Sequence, residues 1–376
     1  MTKARARDLG IPLPGTPGKY NAITDVKGVE VGYCTVIKGK PEDYKGPGSP
    51  FARTGVTAIL PRGKNRSAVF GGRHNLNGNG EMTGTHWLDD SGFIHGPIMI
   101  TNTNSVGVVR DTTTKWMLEN KFYHPFVFEG RPIEGVGYFY PIVAETWDGI
   151  LNDTNGFHVT ADHALEALNQ AKSGPIAEGN VGGGTGMICH EFKGGTGTSS
   201  RVLSEENGGY TLGVLVQANH GWRDKFQICG VPLRDEFEPE TLPVINTFAP
   251  KPGTGSIIVI VATDAPVLPW QLSKIAKRVS IGLGLVGAYG DNGSGDIFLA
   301  FSTANENAYS TNTTKIDFLS DEIIDPLYIA TVEAVEEAIL NALCAAETME
   351  GRDHNKVQAF PHDKIVEILR KHGKIK

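Results

Sequence analysis

The chain has 376 residues, 40% hydrophobic and 20% charged, with a formal net charge of −7 and a pI near 5.9. That length can bury a large core and permits two or three domains. An acidic balance without a Lys/Arg block excludes nucleic acid or an anionic membrane surface as the main partner, and no run of eighteen apolar residues offers a membrane-spanning helix.

The opening "MTKARARDLGIPLPGTPGKY" turns from basic residues to Gly and Pro instead of an apolar segment, so it does not read as a secretory signal. A cytoplasmic protein is expected, or a periplasmic one if a leader has been removed. "VEVGYCTVI" and "TGVTAILPRG" predict early strands, and "HGPIMITNTNSVG" a strand that runs into a polar turn and a helix around "VVRDTTTKWMLENK". "TADHALEALNQAKSG" sets Ala164, Leu165, Leu168 and Ala171 on one helical face, with Gly174 as the stop. "SIIVIVAT", apolar without alternation, predicts a strand buried on both faces, followed by a helix over "VLPWQLSKIAKRVSIGLG". "DPLYIATVEAVEEAILNALCAAE" predicts a largely buried helix with Asp325 as N-cap and Pro326 as first helical residue, and "HDKIVEILRKHG" a last short one. There is no repeat, low-complexity tract or linker. The expectation is one compact α/β unit over residues 1–376.

Several nominal motifs fail on context. "GLGLVG" at 282–287 satisfies G-x-G-x-x-G but ends a helical segment instead of leaving a strand. Neither Ser256 nor Ser294 lies in G-x-S-x-G. "DNGSGD" at 291–296 has the oxygen density of a calcium loop but neither its length nor its terminal Glu, which leaves metal binding a minor reading. The four cysteines, Cys34, Cys189, Cys229 and Cys344, are dispersed, form no C-x-x-C pair and read as reduced core thiols. "GNVGGGTGMICHEFKGGTG" could cradle a phosphate with its backbone N–H groups but lacks the Lys-Ser/Thr of a P-loop; its bland alternative is close packing against another backbone segment.

What remains is a set of polar residues at the edges of apolar segments: Glu145 in "PIVAETWDGILND", Asn219 in "LGVLVQANHGW", Ser256 in "PGTGSIIVI", and Ser294 with Asp296 in "GDNGSGDIFLAFST". Each has an ordinary structural account. Ser256 could satisfy a local backbone group, Glu145 and Asp148 could cap a turn, Asn219 could adopt a left-handed conformation before Gly221, and Ser294 and Asp296 could close a turn. Taken together they suggest a site.

From "NAITDVKGVEVG" through "GNVGGGTGM", "LVQANHG", "GTGSIIVIVATDAP" and "GSGDIFLAFSTAN", nearly the whole chain resembles the DmpA-type aminopeptidase family, the L-aminopeptidase/D-esterases and β-peptidyl aminopeptidases. The resemblance implies a four-layer α-β-β-α sandwich and a precursor that cleaves itself between Gly255 and Ser256, leaving chains 1–255 and 256–376. It implies a homotetramer of processed heterodimers and no cofactor. Ser256 would become an N-terminal nucleophile that carries its own base, the freed α-amine, whose ordinary pKa of about 7.7–8.0 leaves a useful fraction unprotonated at neutral pH. Gly253 and Gly255 would let the loop bend for the cleavage.

By the same resemblance, Asn219 matches an oxyanion-hole side chain and Glu145 the carboxylate that receives the substrate ammonium. Ser294 and Asp296 match a pair that hydrogen-bonds around the nucleophile and its amine; some relatives carry Glu where Asp296 stands. Trp147 departs from the L-aminopeptidase branch, which places a Tyr hydroxyl there. The change reshapes the pocket and leans toward the β-peptidyl branch. The implied substrates are short peptides, amides or esters, including β-amino acid peptides. The alternatives are an acyltransferase of related fold, which would use Thr in place of Ser256, and a non-catalytic small-molecule binding protein.

Overall fold

The computed structural model describes residues 3–123, 126–129, 131–133, 135–247, 255–310 and 312–376. The first half supplies β1 (Glu30–Lys38), β2 (Ala52–Leu60), β3 (Val69–Asn75), α1 (Thr85–Ser91), β4 (Phe93–Ile94), β5 (Ile98–Asn102) and α2 (Val106–Glu119). A short hairpin, β6 (Phe126–Phe128) and β7 (Arg131–Ile133), precedes β8 (Ile142–Thr146) and α3 (Ala161–Asn169). Then come the hairpin β9 (Ile188–Cys189) and β10 (Phe192–Lys193), the long strands β11 (Gly195–Val202) and β12 (Thr211–Asn219), and the hairpin β13 (Gln227–Ile228) and β14 (Val231–Pro232). The last part holds β15 (Ser256–Thr263), α4 (Pro269–Leu285), β16 (Gly295–Ser302), α5 (Asp325–Ala345) and α6 (His362–Lys371).

Two sheets organise these elements: four strands in the order β1-β2-β5-β8 and six in the order β11-β12-β15-β16-β3-β4. The run in β15 shows why they stack. Ile258, Ile260 and Ala262 point between the sheets and meet Ile59, Ile100 and Ile142, while Ile257, Val259 and Val261 point outward onto Leu272, Ile275 and Ala338 of α4 and α5. A period of two with both faces covered demands apolar residues throughout, so the strand carries no polar alternation. On the other side, Val56, Ala58 and Met99 of the four-stranded sheet pack on Val109 and Trp116 of α2 and Ala164 and Leu168 of α3. The result is the expected four-layer sandwich, helices outside two sheets.

Local expectations hold with small differences. Ala164 and Leu168 are buried as their spacing predicts, yet α3 ends at Asn169, five residues before Gly174. Asp325 is already helical and caps nothing, and the preceding residue is Ile324. The glycine-rich segment packs closely against side chains and backbone of both sheets. A Cβ on Gly182 would lie 2.4 Å from Thr57 Oγ1, one on Gly183 2.1 Å from Gln217 Oε1, and one on Gly184 2.3 Å from the Thr196 nitrogen. These contacts wedge the segment between the sheets, which accounts for its glycines without a phosphate.

Candidate active site

Ser256 is the first residue of β15, the strand between β12 and β16, and its register partners are Asn219 and Gly295. Its flanks are therefore fixed by two ladders. The buried Oγ donates to the Gly255 carbonyl oxygen (2.6 Å) and accepts from the Gly295 N–H (3.1 Å), which also points at the Gly255 oxygen (3.3 Å). Both glycines are required by close approach. A Cβ on Gly255 would sit 2.9 Å from the Asn219 carbonyl oxygen, and one on Gly295 2.4 Å from the Asn79 carbonyl oxygen. Gly253, expected to help the loop bend, lies outside the described residues.

Asn219 ends β12 in an extended conformation, not the left-handed one its ordinary account required; the positive φ belongs to Gly221. Its amide is clamped at both ends: Oδ1 accepts from the Ile188 N–H (2.9 Å) and Nδ2 donates to the Trp147 carbonyl (2.9 Å). An amide nitrogen carries two N–H groups, so the second remains to face a developing negative oxygen.

Ser294 and Asp296 bracket Gly295. Ser294 Oγ donates to Asp296 Oδ2 (2.5 Å) and accepts from Asn77 Nδ2 (3.1 Å). Burial holds the Asp296 carboxyl above the usual carboxylate range, opposed by the Ser294 hydrogen bond. Its Oδ1, close to the Ile257 N–H, has no well-formed partner among the described residues. The pair was expected to bond around the nucleophile. In the unbroken chain neither side chain hydrogen-bonds Ser256 Oγ among the described residues; the Gly295 N–H between them does. That is the geometry of two parallel strands in which Ser256 faces Gly295 and Ile257 faces Asp296.

Glu145 belongs to the other sheet. It lies within β8, 3% exposed, and caps no turn. Oε1 accepts from the Glu81 N–H (2.9 Å) and Oε2 from the Thr103 hydroxyl. Burial raises its pKa, helped by the nearby Glu81 and Asp148 charges, and the two hydrogen bonds oppose that rise. A Cβ on Gly80 would touch both Glu145 Oε1 (3.1 Å) and Gly295 Cα (3.4 Å), so the carboxylate and the start of β16, the strand beside the nucleophile's, face each other across one glycine. Asp148, fully buried, does serve the turn after β8, accepting from Thr154 Oγ1 (2.6 Å). Trp147 is 41% exposed, with its indole folded over Gly149. Its carbonyl accepts from Asn219 Nδ2. A solvent-open cleft of about 410 Å³ is walled by His220, Gly255, Tyr289, Asp291, Ser294 and Asp296 among others; Glu145 is not one of its walls.

The sequence profile described as peptidase family S58 matches residues 21–357. The chain belongs to this family. It is 49% identical over 384 residues to the β-peptidyl aminopeptidase BapA of Sphingosinicella microcystinivorans, covering 99% of this chain and 93% of that one. The L-aminopeptidase D-Ala-esterase/amidase of Ochrobactrum anthropi, described as a prototype for the serine aminopeptidases and a variant of the Ntn hydrolase fold, superposes with a TM-score of 0.87 at 45% identity over all of both chains. A Burkholderia sp. β-aminopeptidase does so with 0.84 at 44% identity, covering 98% of this chain and 99% of that one. This S58 chain is therefore a serine-type peptidase with an N-terminal nucleophile hydrolase fold.

Sequence reasoning missed Asn77 and Asn79, whose side chains hold Ser294 Oγ and the Gly293 carbonyl, and the backbone donors of Glu81 and Gly295. The asparagine-rich "NLNGNGE" after β3 was the available signal. Backbone N–H groups leave no signature in residue identity.

Proposed function

We propose that this S58 peptidase is a self-processing aminopeptidase that removes the N-terminal residue, β-amino acids included, from short peptides, amides or esters. The observation that carries the reading is the environment of Ser256 Oγ. Among the described residues no histidine, lysine or carboxylate hydrogen-bonds it; its partners are the carbonyl of the preceding residue and a backbone N–H. A hydroxyl without a base is a poor nucleophile, and breaking the Gly255–Ser256 bond supplies one, the new α-amine. That amine would stand beside the open Oδ1 of Asp296.

In turnover the α-amine takes the hydroxyl proton as Oγ attacks the scissile carbonyl. Asn219 stabilises the oxyanion, and the amine returns the proton to the leaving group. Water then hydrolyses the Ser256 ester. Glu145 accepts the substrate ammonium, which confines attack to a free N-terminus. The kinship with β-peptidyl aminopeptidases and the β-aminopeptidase supports the β-amino acid preference. A homotetramer of processed heterodimers would have Phe126, Phe128, Ile133, Tyr138 and Tyr140, exposed along one stretch, available for a subunit interface.

Intact-mass analysis under denaturing conditions, with N-terminal sequencing, tests the reading. Two chains are expected, one beginning Ser-Ile-Ile-Val. A single chain that stays uncut on incubation would overturn it. Hydrolysis of matched β-alanyl and α-alanyl amides then measures the preference.

A further inference from the structure

Beneath the oxyanion side chain lies a cluster that the peptidase reading leaves unused. Cys189 Sγ and one ring nitrogen each of His190 and His220 lie within 4.8 Å of one another, and all three residues are buried. Their convergence is built by two elements. His190 follows Cys189 at the end of β9, His220 follows Asn219 at the end of β12, and the His190 N–H donates to the His220 carbonyl (2.8 Å).

The hydrogen-bond accounting shows the cluster incomplete. His190 Nδ1 lies 3.3 Å from the Trp222 carbonyl. A carbonyl only accepts, so Nδ1 carries the proton and Nε2 keeps a bare lone pair. His220 Nδ1 lies 3.9 Å from Cys189 Sγ. The Nε2 atoms of both rings are buried without a hydrogen-bond partner among the described residues. A buried ring nitrogen left unpaired is costly, and two of them on neighbouring rings, centroids 5.3 Å apart, call for a ligand that the described residues do not supply.

The turn that delivers His190 adds to that cost. Residues 190 and 191 close the two-residue hairpin β9–β10 with φ of 47° and 60°. Positive φ at both central positions defines a type I′ turn, which Asn-Gly occupies most readily. Here His-Glu stands instead, and the imidazole is directed inward to full burial. The ring stacks on Phe226 (centroids 4.3 Å apart, 17° between planes), and Gly221 is bare so that the ring fits, since a Cβ there would lie 2.4 Å from His190 Cε1. The place of the His190 ring is thus set by the turn, by Phe226 and by the bare Gly221.

We propose that Cys189, His190 and His220 form a buried site for a borderline-soft divalent metal ion, of which Zn²⁺ is the type. One thiolate and two imidazoles match its donor preference and leave one tetrahedral position open. Binding forms one metal–sulfur and two metal–nitrogen bonds and releases the Cys189 thiol proton to solvent, with no change of oxidation state. Bonds of about 2.0–2.3 Å require the three atoms to close their separation by roughly an ångström. Lys193 and Arg223 are the cations nearby. Lys193 is turned away to the Gly184, Met187 and Gly194 carbonyls, and burial lowers its pKa to about 7. The sequence offered no such site, because its three ligands are brought together by strand ends and not by a metal-binding spacing. The metal would sit one residue from Asn219 and beside Ile188, whose N–H holds that side chain.

Co²⁺ added to metal-stripped full-length protein is the probe. One equivalent should bind and give thiolate-to-cobalt charge-transfer absorption, and Zn²⁺ should displace it. Cys189→Ser should abolish the absorption while Cys34, Cys229 and Cys344 remain. His190→Asn, which suits the positive φ and so preserves the turn, should weaken Co²⁺ binding at least tenfold. Absence of the absorption in the wild-type protein, its survival in Cys189→Ser, or wild-type Co²⁺ affinity in His190→Asn would each overturn the site.

Discussion

The six-stranded and four-stranded sheets reach the site with different kinds of residue. From the six-stranded sheet come Ser256, Asn219, Ser294 and Asp296, all at the ends of strands whose registers lock them to one another. From the four-stranded sheet comes Glu145, inside a strand, held by a backbone N–H and one hydroxyl, with no basic partner among the described residues. In the proposed mechanism the first group makes and stabilises a tetrahedral intermediate and the second holds a charge. Chemistry and recognition would then sit on separate layers, which meet at Gly80 and Gly295. Substitutions on the first should therefore depress kcat and processing, and on the second KM.

The largest effect is expected at the nucleophile. Ser256→Ala should stay a single chain of about 40.4 kDa and lose roughly 10⁴–10⁶ in turnover, checked by intact mass and single-turnover assays. Cleavage at residue 255 in that variant would place the nucleophile elsewhere. Asn219→Ala should process slowly and lose roughly 10²–10³ in kcat, the cost of removing one preorganised oxyanion donor. An unchanged kcat would take Asn219 out of the chemistry and leave it as the clamp between Ile188 and Trp147.

On the recognition layer, Glu145→Gln should raise KM roughly 10–100-fold, about 1.4–2.8 kcal/mol of lost ammonium binding, with processing retained. The pH dependence has a definite sign. Only the ionised carboxylate binds an ammonium, and burial raises the Glu145 pKa, so binding fails as pH falls through a value above the ordinary carboxylate range. The nucleophile's α-amine is also lost to protonation on that limb. The wild-type acid limb of kcat/KM should thus be steeper than one proton, and in Glu145→Gln it should relax to a single proton. A limb of unchanged slope would mean that Glu145 does not bind the substrate as a carboxylate.

Much of the chemical layer was legible because its residues interrupt apolar runs. Ser256 begins eight residues with no polar alternation, and Asn219 ends "LGVLVQAN", so both stood out as hydroxyl or amide where a buried strand stops. Glu145 is a lone charge in "PIVAETW", within a strand buried along its length. The supporting shell was not legible. Asn77 and Asn79 reach Ser294 and Gly293 only because β3 pairs with β16, Asn75 opposite Ile297, a register no local pattern encodes. The Cys189–His190–His220 group is likewise a product of two strand ends thirty residues apart in sequence meeting in space.

Trp147 joins the two layers and gives the smallest expected effect. Its backbone follows β8 of the recognition layer, yet its carbonyl fixes Asn219 of the chemical layer, while its indole lies half-exposed over Gly149. The two contributions separate by substitution, because any residue at 147 keeps the carbonyl. Trp147→Leu should process at the wild-type rate and hold kcat for a small substrate, while kcat/KM for bulky against small N-terminal residues shifts by about 3–10-fold, the scale of a reshaped apolar wall. A matched series of aminoacyl amides, with processing followed by mass, measures both. If processing itself slowed, the indole would be needed to set the carbonyl against Asn219, and position 147 would belong to the oxyanion machinery instead of the pocket.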